Sequence, residues 1–67
     1  MTLGQKIRCF RVDQKMTTKD LADAIGYSAT AVAHWEKEER MPSLLTAKDL
    51  CDYMGITVDE LLKGVDK

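Results

Sequence analysis

At 67 residues, the chain can bury only about 60% of the surface its unfolded form exposes, enough for one core and a single domain over 1–67. With 45% apolar and 31% charged residues, it reads as a folded globular protein and not as a disordered one. A net charge of -1 and a pI near 5.7 exclude an overall basic character, so any binding to phosphates has to come from one locally basic face.

Thr2 followed by Gln5 has the spacing of a capping box and opens a first helix with Leu3, Ile7 and Phe10 on one side. Thr17 with Asp20 repeats the device in a weaker acidic form, ahead of Leu21, Ala22 and Ile25, and Gly26 supplies a left-handed stop. Ser28 is an N-cap candidate for a third helix carrying Val32 and Trp35. Pro42 discourages Met41 from being helical, and Ser43 then caps a fourth helix with Leu50 and Met54, closed by Gly55. Thr57 with Glu60 opens a fifth, around Leu61 and Leu62. No alternating stretch reads as a strand pair, so the expected fold is all-α, with five short helices.

The informative segment runs from about 18 to 37: a short helix, a tight turn at Gly26 and a second short helix. Leu21, Ile25, Val32 and Trp35 pin both helices to the core, and Ala22 leaves room for their close approach. The surface left over is Ala29, Thr30, Ala33 and His34, with Ser28 at its N-terminal end, and such a surface is free to enter a groove. Lys19, beside the docking end, is a phosphate-contact candidate, whereas Lys6, Arg8 and Lys15 read as a solvated face. His34 is the only histidine and reads equally as a solvated side chain or as a base or phosphate contact.

Four stretches, LGQKIRCFR at Leu3 to Arg11, TTKDLADAIGYSATAVAHWE at Thr17 to Glu36, RMPS at Arg40 to Ser43 and MGITVDELL at Met54 to Leu62, give the chain its resemblance. In order and spacing it resembles the lambda-repressor and Cro type of helix-turn-helix proteins, the XRE-like transcriptional regulators, over nearly its whole length. The resemblance implies a compact five-helix DNA-binding domain with the helix-turn-helix at helices 2 and 3. It implies double-stranded DNA as partner, the third helix in the major groove, and Ala29, Thr30, Ala33 and His34 at the bases. Thr18, Lys19, Ser28, Lys37 and Arg40 are the corresponding phosphate contacts, and Arg11 and Glu36 match a structural salt bridge between the first and third helices.

Departures from the pattern matter. Thr18 stands where many relatives carry the longer glutamine, which shortens its reach. Ala29 and Ala33 offer only methyl contacts, so hydrogen-bonded readout falls to Thr30 and His34. Glu38 stands where relatives often have glycine, and with Glu39 it sets two acids near the phosphate path, offset in part by Lys37 and Arg40.

The expected function is a sequence-specific transcriptional regulator, a repressor, binding a palindromic operator as a homodimer. Ile56, Val58 and Leu61 are candidates for the dimer surface and equally for the core of one subunit. The alternative keeps the fold and changes the work: an antitoxin- or antirepressor-type module whose main partner is another protein, favoured by the acidic balance and the alanine-rich surface. Asp49, Asp52, Asp59 and Asp66 fall toward the C-terminal half, where solubility explains them.

Other classes find little support. No nucleophile comes with a histidine and an orienting acid, and no glycine-rich phosphate loop is present, so the chain does not read as an enzyme. Cys9, Cys51 and His34 lack the paired short spacings of a zinc site, so neither metal nor cofactor is expected, and no small-molecule ligand. Both cysteines are expected to be reduced thiols, in the core or half-buried. With no apolar run near the roughly 20 residues that span a bilayer, and no leader-like pattern at Met1 to Arg11, a cytoplasmic protein without a membrane partner is expected.

Overall fold

The computed structural model describes residues 1–64. Five helices follow one another: α1 (Leu3–Asp13), α2 (Thr18–Ile25), α3 (Ala29–Glu36), α4 (Leu44–Met54) and α5 (Val58–Leu62). No strand occurs among the described residues.

Each helix starts where a hydroxyl side chain can satisfy a free backbone N–H. Thr2, Thr17, Ser28, Ser43 and Thr57 are the five N-caps, and the three threonines close reciprocal capping boxes with Gln5, Asp20 and Glu60. Caps of this kind each contribute about 1 kcal/mol, which matters for helices as short as these.

The helix ends are less uniform. α2 and α4 stop at left-handed glycines, Gly26 (φ 80°) and Gly55 (φ 73°). α1 and α3 are followed by left-handed residues that are not glycine, Lys15 (φ 58°) and Glu38 (φ 62°). Both belong to Schellman turns. After α3, the Glu38 N–H donates to the Trp35 carbonyl at 3.1 Å and the Glu39 N–H to the His34 carbonyl at 3.0 Å.

Leu3, Ile7, Leu21, Ala22, Val32, Trp35, Leu50, Cys51 and Leu61 form the buried core. Leu61 is 1% exposed, so it fills its own subunit's core, against which Ile56 and Val58 lie half-buried. Phe10, Ile25 and Met54 are half-buried at the core's rim, and the Phe10 ring meets Tyr53 edge-on at 6.0 Å. Leu62 is 49% exposed, because on a helix it points about 100° away from the buried Leu61.

Two expectations need correction. Cys9 is exposed, not buried or half-buried, since two residues after the buried Ile7 the helix has turned to its far side. Cys51 is buried as a free thiol, and desolvation pushes its pKa up. Lys6 is not simply solvated: its ammonium donates to the Glu60 and Lys63 carbonyls at the end of α5, tying that helix to α1. Among the described residues no helix is long and apolar enough to cross a membrane. Asp66 lies outside them.

Candidate nucleic-acid interface

α3 is fixed from below and at both ends. Val32 is fully buried and Trp35 nearly so, and Ala31 packs half-buried against the core. At its start, the Ser28 hydroxyl oxygen accepts from the Ala31 N–H at 3.1 Å. At its finish, Arg11 on α1 grips Glu36 with two hydrogen bonds, Nε to Oε2 at 2.7 Å and Nη2 to Oε1 at 3.0 Å. The remaining Arg11 nitrogen, Nη1, donates to the Met16 carbonyl at 2.8 Å. The hydrogen bond to Glu36 is the main reason the Arg11 pKa rises, against an opposing desolvation.

α1 also approaches the end of α3 through a residue without a side chain. A Cβ added at Gly4 would stand 2.5 Å from the Trp35 carbonyl oxygen and 2.8 Å from that of Glu36. The α2–α3 turn is held just as specifically. The Tyr27 N–H donates to the Ala22 carbonyl at 2.8 Å, its ring meets Trp35 edge-on at 5.7 Å, and its hydroxyl accepts from Thr46 at 3.0 Å and donates to Asp49 at 3.1 Å. Tyr27 thus ties the turn to α4, and Thr46, the one buried polar residue of the described chain, is fully partnered.

With Val32 and Trp35 inward, helical geometry leaves Ala29 with Ala33, and Thr30 with His34, as two i, i+4 pairs. Thr30 is exposed, and Ala29, Ala33 and His34 are partly exposed. The strip therefore offers two methyls, one hydroxyl and one imidazole. Of the flanking residues, Thr18 is half-buried as the first residue of α2, Ser28 is the α3 N-cap, Lys37 is its C-cap residue, and Arg40 follows in the exposed loop.

The acids around this strip are engaged by neighbours. Asp23 accepts from Lys19 at 2.9 Å, which is the first cause of the raised Lys19 pKa. Asp20 accepts from the Thr17 N–H at 3.0 Å, and that backbone bond is the first cause of its lowered pKa. Glu38 accepts from the Thr2 hydroxyl at 2.6 Å, and Glu39 Oε1 lies 2.8 Å from His34 Nδ1.

Asp23, Tyr27 and Gly4 were missed in the sequence, and Glu39, noted there as an acid near the phosphate path, was not connected with His34. Lys19 and Asp23 have a readable i, i+4 spacing, whereas the other three act through tertiary approach or turn geometry. Among the described residues no group of three or more His, Cys, Asp or Glu is gathered as a metal site would require.

A family model described as helix-turn-helix matches residues 7–61. The chain is 34% identical over 58 residues to the HTH-type transcriptional regulator YazB of Bacillus subtilis, covering 87% of this chain and 84% of YazB. It is 30% identical over 64 residues to the HTH-type transcriptional activator BcrR of Enterococcus faecalis, covering 96% of this chain but only 31% of BcrR. Among solved structures, the P22 c2 repressor in complex with synthetic operator 9T is similar with a TM-score of 0.87 and 30% identity, over 96% of this chain and 97% of that one.

Proposed function

The chain belongs to the helix-turn-helix family of the lambda-repressor and Cro type, and on that premise we propose that it is a sequence-specific DNA-binding transcriptional regulator. The observation that carries this reading is a short α3 buried along Val32 and Trp35, anchored at both ends, and left open along Ala29, Thr30, Ala33 and His34. Rigid presentation of one helix face is what major-groove readout requires.

In this reading α3 enters the major groove. Thr30 and His34 make the polar base contacts, while Ala29 and Ala33 give methyl contacts suited to thymine. Thr18, Lys19, Ser28, Lys37 and Arg40 hold the phosphates on either side. The Ser28 oxygen is used as the cap, which leaves its hydroxyl hydrogen to donate to a phosphate. Lys19 exchanges Asp23 for phosphate, a small cost because the pair is 75% and 65% exposed.

Repression is the favoured outcome, on the likeness to the operator-bound P22 c2 repressor, with its TM-score of 0.87. Two copies on a palindromic operator would multiply the modest contact set of one. Apolar surface for a homodimer is present at Met41, Leu44 and Leu45, which are 64%, 79% and 73% exposed. The same exposed side chains suit the second reading, a module of the antitoxin or antirepressor kind that binds another protein. In neither reading does the chain catalyse a reaction or carry a cofactor, and a regulator of transcription belongs in the cytoplasm.

Selection from a pool of random duplexes, with binding repeated at two salt concentrations, separates the readings. The proposal expects a palindromic pair of half-sites about one helical turn apart and strongly salt-dependent affinity. No enrichment, with weak binding even at low salt, would move the assignment to the protein-binding module.

A further inference from the structure

The Schellman turn after α3 has a consequence for the reading face. In such a turn the residue two past the cap folds back over the third residue from the helix end, and an apolar contact commonly joins the two. Here those residues are Glu39 and His34, and the contact is polar: Glu39 Oε1 lies 2.8 Å from His34 Nδ1. The backbone holds Glu39 in place, because its own N–H donates to the His34 carbonyl at 3.0 Å and the Arg40 N–H reaches the same oxygen at 3.4 Å. An exposed pair of flexible side chains contributes little, but this one closes over a turn already ordered by its main chain.

We propose that Glu39 fixes the tautomer of His34 with its proton on Nδ1, leaving Nε2 a bare acceptor, and that His34 thereby selects a base that presents an exocyclic amine in the major groove. The chemistry is a matter of hydrogen count. A carboxylate can only accept, so the nitrogen facing it must donate, and a neutral imidazole has one N–H to give. Nε2 can then accept and cannot donate. In the major groove the donors are the N6 amine of adenine and the N4 amine of cytosine, whereas guanine N7 and O6 and thymine O4 only accept. Glu39 is in this sense a positioning residue: it touches no base and sets the polarity of one that does. The proposal rests on the DNA-binding reading above and adds the class of base that His34 recognises.

Two measurements on the full chain test it. Long-range proton–nitrogen correlation spectra at pH 8 report which imidazole nitrogen is protonated, without any DNA. The wild type should carry the proton on Nδ1, whereas Glu39→Gln, whose amide can donate as well as accept, and Glu39→Ala should both let it move to Nε2, the form a free imidazole prefers. Selection on random duplexes should then give adenine or cytosine at one position with the wild type. With Glu39→Ala, preference there should shift toward guanine or thymine by about fivefold. A tautomer unchanged by Glu39→Ala overturns the proposal, and so does an unchanged base preference while specific binding persists. Failure of both proteins to enrich any duplex overturns instead the DNA-binding reading on which the proposal stands.

Discussion

Arg11 and Glu36, 25 residues apart in the chain, meet through two hydrogen bonds of 2.7 and 3.0 Å with only 15% and 9% of their side chains exposed. The pair locks α1 to the C-terminal end of α3, so the orientation of the candidate reading helix depends on it. Replacing Glu36 by alanine strands a guanidinium whose one other partner among the described residues is the Met16 carbonyl. Loss of one member of a fully buried pair costs about 3–5 kcal/mol, and the residual exposure here sets the expectation at about 2–4 kcal/mol. Thermal melts of Glu36→Ala and wild type check it, and equal midpoints would remove the pair from the account of stability.

Gly4 makes a second prediction about the same joint. Alanine is the better helix former by about 1 kcal/mol, so an open site would be stabilised by the change. A Cβ 2.5 Å from the Trp35 carbonyl oxygen cannot be accommodated without moving α1 off α3. Gly4→Ala should therefore lower stability by about 1–3 kcal/mol, read by urea denaturation. A higher midpoint would mean that the two helices do not approach this closely.

Much of this fold is legible in the sequence. The five caps Thr2, Thr17, Ser28, Ser43 and Thr57 and the stops Gly26 and Gly55 carry their own chemistry, because a hydroxyl before an apolar helix and a glycine after it are local signals. Lys15 and Glu38 are not legible in that way, since nothing in either side chain announces a left-handed residue. The strip on α3 follows from helical periodicity once Val32 and Trp35 are placed inside. The pairing of Arg11 with Glu36 has no local signature at all and comes only from the family resemblance. Gly4 and Tyr27 act across tertiary contacts, which is why the chain read alone passes over both.

Asp20 ties stability to acidity. Its carboxylate is held below the ordinary 3.8, first by the Thr17 N–H and then by the Thr17 side chain. A carboxylate whose folded pKa is depressed stabilises fully above its unfolded value, and the stabilisation is lost as pH falls through the folded one. Asp20→Asn keeps an acceptor oxygen but does not titrate. Melting temperatures of the two proteins should therefore differ most above pH 5 and converge as pH falls below 3.8. A constant difference across that range would deny the capping carboxylate its role.

Residues that read and residues that hold should fail differently. Thr30→Ala and His34→Ala should leave stability within about 0.5 kcal/mol of wild type and relax base preference at single positions by about 1–3 kcal/mol. Lys37→Ala and Arg40→Ala should weaken binding evenly across sequences and each reduce the salt slope by about one. Competition binding against a panel of single-base variants distinguishes the two patterns, and a uniform loss for Thr30→Ala would move that residue from bases to phosphates.

The most direct test of α3 as the reading element is a nuclear magnetic resonance titration of the labelled chain with its selected duplex, following amide and methyl signals residue by residue. The largest shifts are expected at Ala29, Thr30, Ala33 and His34, with smaller ones at Thr18, Lys19, Ser28, Lys37 and Arg40. Shifts that leave this strip unmoved and fall instead on Met41, Leu44 and Leu45 would contradict it.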